Sequence, residues 1–297
     1  MNLKFGVIGE SDGNGHPYSW SIACNGYNGK NLNLIPYDRI RHYLQKYEIK
    51  YHKIEGVEVT HILTQNKSVS RKIAKVCNIK NICTNLNQLI KSVDAILLLR
   101  DDIQSRKKYL PLLLKSGKPI LVDKFVHTNS NETIKLLKMQ KFKGQIFAES
   151  SFRNTKKLRL NKDELKKLGK IKYISGITPN IWGTYGIHLV DSCLKFFNKK
   201  KIINISCIKN NDTTSLNINW SNNLISNFTS VKNSNTDIQL DLIGEKSHKR
   251  IIWDKDTILD DFTITIKKFA YMVKRKKFNI NQKNYILISK ILEKGLK

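Results

Sequence analysis

The sequence predicts an α/β chain: a parallel, doubly wound sheet in the first half, then a second domain built on an antiparallel or mixed sheet. Three observations carry this expectation. Short apolar runs alternate with helical patterns through the first half. Those runs are continuously apolar, as strands buried on both faces must be. From about residue 202 the texture changes to rough alternation, punctuated by Asn, Asp, Ser and Gly turns.

Strands are expected at 3–9, 57–64, 94–99, 119–123 and 145–149, with helices at 17–26, 69–78, 103–116 and 130–142. Pro17 suits a first helical turn, so the loop before it ends near His16. The last of these helices opens with "NSNE", where Asn129 caps and Glu132 can bond back. The second half offers "KIINISCIKN", "TSLNINW", "LISNFTS" and "DIQLDLIG" as strands, closed by helices near 261–276 and 281–295. The expected division is a first domain over 1–124, its last helix and strand reaching about 150, and a second over 151–297. Between the first helix and second strand lies an unusually long stretch, 27–56. In it "IPYDRIRHYLQKY" sets Ile35, Ile40, Leu44 and Tyr47 at helical spacing, with an apolar face to pack on the domain.

Composition narrows the function. At 297 residues and 40% hydrophobic content the chain can bury a core as a soluble globular protein. Its longest apolar run, "AILLL" at 95–99, is strand length, far short of the roughly 18–20 residues of a membrane span. Five cysteines form no CxxC pair, which reads as reduced thiols in a cytoplasm. The histidines and cysteines show no metal-ligand spacing, so no metal is expected. The net charge of +29 is nearly all lysine, spread along the chain rather than clustered with arginine and aromatics. That pattern reads as compositional bias, with attraction to anionic substrates but no specific nucleic-acid partner.

The stretch "FGVIGESDGNGHPYS" (5–19) runs from a strand into glycines. A dinucleotide fingerprint places glycine at the first, third and sixth positions of the turn. Counted from Gly9, those places hold Ser11 and Asn14, while Gly13 and Gly15 fall off the template. By itself the turn reads equally as a phosphate cradle or a plain strand-to-helix connection. Arg100, Asp101 and Asp102 follow the fourth strand, where such sheets hold ligands; they read as ribose contacts or as a solvated turn.

In order along the chain, "GVIG", "SVDAILLLRDD", "GKPILVDKF", "QIFAESSFRN" and "YGIHLVD" resemble the glucose–fructose oxidoreductase / inositol dehydrogenase (Gfo/Idh/MocA) family over nearly the whole length. Asp123-Lys124-Phe125 is similar to the family's Glu-Lys-Pro, and Gly186, His188 and Asp191 to its Gly-x-His-x-x-Asp helix. The resemblance implies a Rossmann domain followed by an α+β domain whose open, mostly antiparallel sheet mediates oligomers, a dimer or tetramer. It implies nicotinamide-dependent oxidation or reduction of a carbon of a sugar, cyclitol or sugar derivative, free or nucleotide-linked. Lys124 then lies beside nicotinamide and substrate, and His188 exchanges the hydroxyl proton.

On the same basis Gly9, Ser11, Gly13, Gly15 and His16 belong to a lengthened phosphate loop. Thr64, Gln65, Arg100 and Asp101 are cofactor contacts, and Arg153, Trp182 and Tyr185 lie on the substrate side. The cofactor is NAD(P), with a slight lean to NADP. Thr64 stands where the family carries a ribose-binding acid, and Lys67 or Arg71 could pair with a 2′-phosphate. Two departures qualify the picture. Phe125 replaces the proline that favours a cis peptide, and Thr184 replaces the aspartate one turn before the histidine. Tyr185 and Asp191 share the His188 face and could stand in for that acid. The departures motivate an alternative: a relative that binds cofactor or a partner without turnover.

Overall fold

The computed structural model describes residues 2–46, 54–197, 200–254 and 256–297; Tyr47, at the end of the expected amphipathic run, lies outside them. The chain starts with β1 (Leu3–Ile8), α1 (His16–Asn25), α2 (Asp38–Lys46), β2 (Val57–Leu63), α3 (Lys67–Val76) and β3 (Asn81–Ile82). It continues through α4 (Leu86–Ser92), β4 (Ala95–Leu98), α5 (Ile103–Lys115), β5 (Ile120–Val122), α6 (Ser130–Lys138) and β6 (Ile146–Phe147). The strands form one parallel sheet in the order β3-β2-β1-β4-β5-β6. This is the doubly wound arrangement, with its switch point between β1 and β4. Every residue of β4 and β5 is buried, as continuous apolar strings between two helical layers require.

An asparagine-rich chain puts that residue to structural use. Asn66, Asn85 and Asn161 each accept a first-turn N–H at the start of a helix, as Asp102 does for α5. Asn129 Oδ1 likewise accepts from Glu132 N at 3.0 Å, the expected cap of α6. That helix stops at Lys138 instead of 142: Gln140 turns its amide back onto Leu137 O, and Gln145 Oε1 takes Lys141 N.

The second half contains α7 (Lys162–Leu168), β7 (Ile171–Pro179), α8 (Trp182–Ser192), β8 (Ile202–Lys209), β9 (Thr213–Trp220), β10 (Leu224–Val231), β11 (Gln239–Gly244) and β12 (His248–Ile252). Its sheet runs β12-β11-β7-β10-β9-β8, antiparallel throughout except for the β7–β10 pair. Strands such as β9 and β10 alternate buried and open positions, so only one face is packed. The sheet therefore begins with β7, some thirty residues before the expected change of texture, because Lys172 and Gly176 mask an alternating strand. Strand β7 is central, gripping β10 on one side and β11 on the other.

Helix α9 (Ile258–Arg275) then returns the chain to the first compact unit, and α10 (Gln282–Leu296) belongs to the second. The units are not divided by one cut near 150. The first comprises 1–126, 135–148 and 259–281; the second comprises 127–134, 149–258 and 282–297. Within the first unit Phe269 lies 5.6 Å from Phe5 and 5.8 Å from Phe147, and Phe262 lies 5.6 Å from Trp20. No helix among the described residues is long and apolar enough to cross a membrane.

Arg106, on α5, is wholly buried and draws the ends of β4 and β5 together. Its guanidinium donates to Asp123 O at 2.7 Å, to Phe125 O at 3.3 Å and to Arg100 O. Burial lowers its pKa, and the nearby carboxylates of Asp123, Asp101 and Asp102 oppose that. Arg106→Met should cost about 3 kcal/mol or more, since it strands three carbonyls. Arg106→Lys should rescue little, because an ammonium cannot reproduce the planar fork. Urea unfolding of both variants checks this.

Candidate active site

The turn after β1 is held from several sides. Gly9 ends the strand, its N–H donating to Leu63 O at 3.1 Å. Glu10 N donates to Gln65 Oε1 at 2.9 Å, which also accepts from Arg100 Nη1 at 3.3 Å. Arg100 further reaches Asp102 Oδ2 at 3.1 Å and Glu10 O. Gly13 stands at φ +70°, where a Cβ would be strained. The N–H groups of Ser11, Asp12 and Gly13 have no partner among the described residues. Amides left open just before a helix N-terminus are the groups that could hold an anion such as the pyrophosphate of a dinucleotide.

A second layer is carboxylate. Ser11 Oγ donates to Asp101 Oδ1 at 2.7 Å, and Lys124 Nζ pairs with Asp101 Oδ2 at 2.8 Å. Lys124 sits in the left-handed region, φ +63°, an uncommon place for a non-glycine residue and one typical of functional positions. The Lys124–Phe125 peptide is trans. Next to it Asp123 Oδ2 lies 2.6 Å from His16 Nδ1 and accepts from Asn14 Nδ2 at 3.0 Å. Burial pushes the Asp123 carboxyl up, but His16, Lys124 and these hydrogen bonds outweigh it and hold it well below the usual carboxylate range. Asp101 is lowered in the same way: burial opposes, and Lys124 prevails.

The long stretch between α1 and β2 bears on this turn. A Cβ on Gly15 would come within 2.5 Å of Ile40 and 2.9 Å of Tyr37, so only glycine fits beneath them. The Tyr37 hydroxyl donates to the Glu10 carboxylate. Burial raises the Glu10 pKa against the pull of that bond.

In the second unit α8 carries His188. Ser150 Oγ lies 2.7 Å from its Nδ1, the Tyr185 ring meets it edge-on at 5.5 Å, and Trp253 lies 5.1 Å away. Ser150 N donates to Asp191 Oδ2 at 2.8 Å, and Arg153 Nη1 reaches Asp191 Oδ1 at 3.3 Å. The Asp191 charge raises the Arg153 pKa despite burial.

Several expected residues also make contacts within the protein. His16 turns to Asp123, and Thr64 is tied into its own turn through Asn66 O and Ser70. Trp182 is buried, its Nε1–H donating to Leu292 O at 3.0 Å. The Thr184 hydroxyl points to Ile181 O. Sequence reading missed Glu10, Tyr37, Arg106 and Ser150. Only Tyr37, inside an unexplained insertion, carried a signal that could have been followed.

The chain thus combines a Rossmann-type unit with a unit built on a six-stranded mixed sheet. No family model matches the chain, and no curated protein matches it by sequence. Solved structures share its fold from end to end. One is myo-inositol 2-dehydrogenase from Lactobacillus plantarum, 15% identical, TM-score 0.77, matched over 99% of this chain and 96% of that one. Another is scyllo-inositol dehydrogenase from Lactobacillus casei with bound NAD(H) and scyllo-inositol, 12% identical, TM-score 0.75, matched over 99% and 96%. A third is UDP-N-acetylglucosamine 3-dehydrogenase from Acidithiobacillus ferrooxidans, 10% identical, TM-score 0.69, matched over 99% and 97%.

The carboxylate layer makes stability pH-dependent. Asp101 and Asp123 have folded pKa values below the unfolded value of about 3.9. Their stabilisation is therefore complete at neutral pH and is lost as pH falls below that value towards the folded ones. Asp123→Asn should lower stability at neutral pH by about 3 kcal/mol and flatten the acid limb. Glu10 has the opposite sign, so Glu10→Gln should stabilise at neutral pH and have little effect near pH 4. Urea unfolding across this pH range reads both.

Proposed function

We propose that the protein is an NAD(P)-dependent oxidoreductase acting on the CH–OH carbon of a sugar, cyclitol or sugar derivative, free or nucleotide-linked. The observation that carries the reading is the end-to-end match to inositol dehydrogenases, one of them with NAD(H) and scyllo-inositol bound. The unclaimed amides of Ser11 to Gly13 support it, as does the Asp101–Lys124 pair at the strand ends. The bound nicotinamide supplies the hydride acceptor or donor. The first unit is then the cofactor domain, with Ser11, Gly13, Gln65, Arg100 and Asp101 at or behind the dinucleotide. The lean to NADP rests on Thr64 in place of an acid and on Lys67 and Arg71 near the start of α3.

In this reading the Lys124 ammonium stabilises negative charge growing on the reacting oxygen. His188 exchanges the hydroxyl proton, since an imidazole works both ways near neutral pH. Arg153 and Tyr185 belong to the substrate side. The small-molecule substrate leaves the second sheet free to make a homo-oligomer, a dimer or tetramer. Supporting this, one row across its open face carries Ile208, Ser215, Thr229, Ile177, Gln239 and Ile252 by register. Placing the chain in the cytoplasm rests on its cysteine usage.

Fluorescence titration should show saturable binding of NADH or NADPH, weakened by Gly13→Val. With a substrate from a polyol and nucleotide-sugar panel, His188→Ala should spare cofactor affinity and cut turnover about 100-fold. Lys124→Met should also cut it, and the double variant should be less than additive. Failure of both cofactors to bind at millimolar concentration would overturn the reading. The second reading, cofactor binding without turnover, is favoured by the Thr184 hydroxyl lying against Ile181 O where the family resemblance implies a carboxylate. It takes the lead if wild type binds cofactor tightly yet turns over nothing.

A further inference from the structure

We propose that Ser150 is the positioning residue of the His188 imidazole: its hydroxyl holds Nδ1 and leaves Nε2 as the nitrogen that exchanges the substrate proton. The proposal rests on the dehydrogenase reading for its catalytic meaning, but not for its geometry. Ser150 is wholly buried, with Oγ 2.7 Å from Nδ1. A hydroxyl shut away from water keeps the partner it has, because losing it leaves a buried polar group unsatisfied.

Ser150 is itself held in place. Its N–H donates to Asp191 Oδ2 at 2.8 Å, and the other Asp191 oxygen takes the Arg153 guanidinium at 3.3 Å. Asp191 follows His188 by three positions on α8, so one helix face carries both the ring and the anchor of the ring's partner. Tyr185 and Trp253 contact the ring on other sides and limit its tilt. Asp191 thus acts on the imidazole through Ser150, and Thr184 is directed to Ile181 O.

A hydroxyl as the partner of Nδ1 has a chemical consequence. A carboxylate can only accept, whereas a hydroxyl both accepts and donates. With Nδ1–H donated to Oγ, Nε2 is the ring nitrogen that acts as the base. During oxidation the substrate O–H bond breaks and an Nε2–H bond forms, while the C–H hydride leaves to the nicotinamide. The ring becomes imidazolium, and Ser150 remains an acceptor and loses no proton. When the neutral ring carries its proton on Nε2 instead, the same hydroxyl rotates and donates to Nδ1. The ring stays oriented in every state, without an adjoining negative charge on its Nδ1 partner.

The test is made on the full chain, cofactor-free, with ¹⁵N-labelled histidine and His188 assigned by the signals lost in His188→Gln. In Ser150→Ala the Nδ1 signal of His188 should move further than any signal of the remaining histidines. Ser150→Thr, which keeps the hydroxyl, should restore the wild-type pattern. Ser150→Cys keeps the volume but weakens the hydrogen bond, and should move Nδ1 even if the alanine variant folds poorly. In turnover Ser150→Ala should lower kcat roughly 3- to 10-fold with KM little changed. An Nδ1 signal unmoved in Ser150→Ala and Ser150→Cys, or unrestored by threonine, overturns the proposal. Absence of turnover in the wild type would sink the dehydrogenase reading but leave the spectroscopic result to decide Ser150 by itself.

Discussion

A guanidinium with no access to water must satisfy its donors on the protein around it. Arg106 does so on main-chain oxygens of Arg100, Asp123 and Phe125, where β4 and β5 end. Much of the candidate chemistry in the first unit hangs from those two strand ends. Asp101 follows β4, Asp123 and Lys124 follow β5, and their side chains meet Ser11, Asn14 and His16 from the turn after β1. A positive charge beneath the carboxylates also offsets part of the cost of burying them.

In the proposed reading, the resulting turn is an alternative solution to a familiar physical problem. A glycine fingerprint brings backbone amides to a phosphate by removing side chains. Here the amides of Ser11 to Gly13 are presented by a longer loop, steadied through Gln65, Arg100 and Asp101. Its cost is a carboxylate, Glu10, buried under Tyr37 and shifted towards its neutral form. The segment that carries Tyr37 and Ile40 is therefore part of the loop's environment.

How far the sequence reveals these arrangements depends on the range of the interactions. The parallel sheet was legible because continuous apolar strings need no partner to declare themselves. Strand β7 was not, since lysine and glycine interrupt a pattern that only its neighbours β10 and β11 make sense of. Lys124 and His188 were picked out as candidates by motifs of several residues. Arg106 and Ser150 were not, because each is an ordinary residue type whose role comes from contacts made at a distance along the chain. The long-range bond of the Trp182 indole to Leu292 O was equally invisible in the sequence.

Helix α9 gives the chain a temporal problem. Phe262 and Phe269 cover Trp20, Phe5 and Phe147, yet they are encoded after every strand of the second sheet. On the ribosome, the first unit therefore emerges with an apolar flank that nothing yet synthesised can seal. It must wait, incompletely closed, while β7 to β12 are made. Final closure of the nucleotide-type fold is thereby coupled to completion of the other unit, and a nascent chain arrested before α9 would present that flank to chaperones.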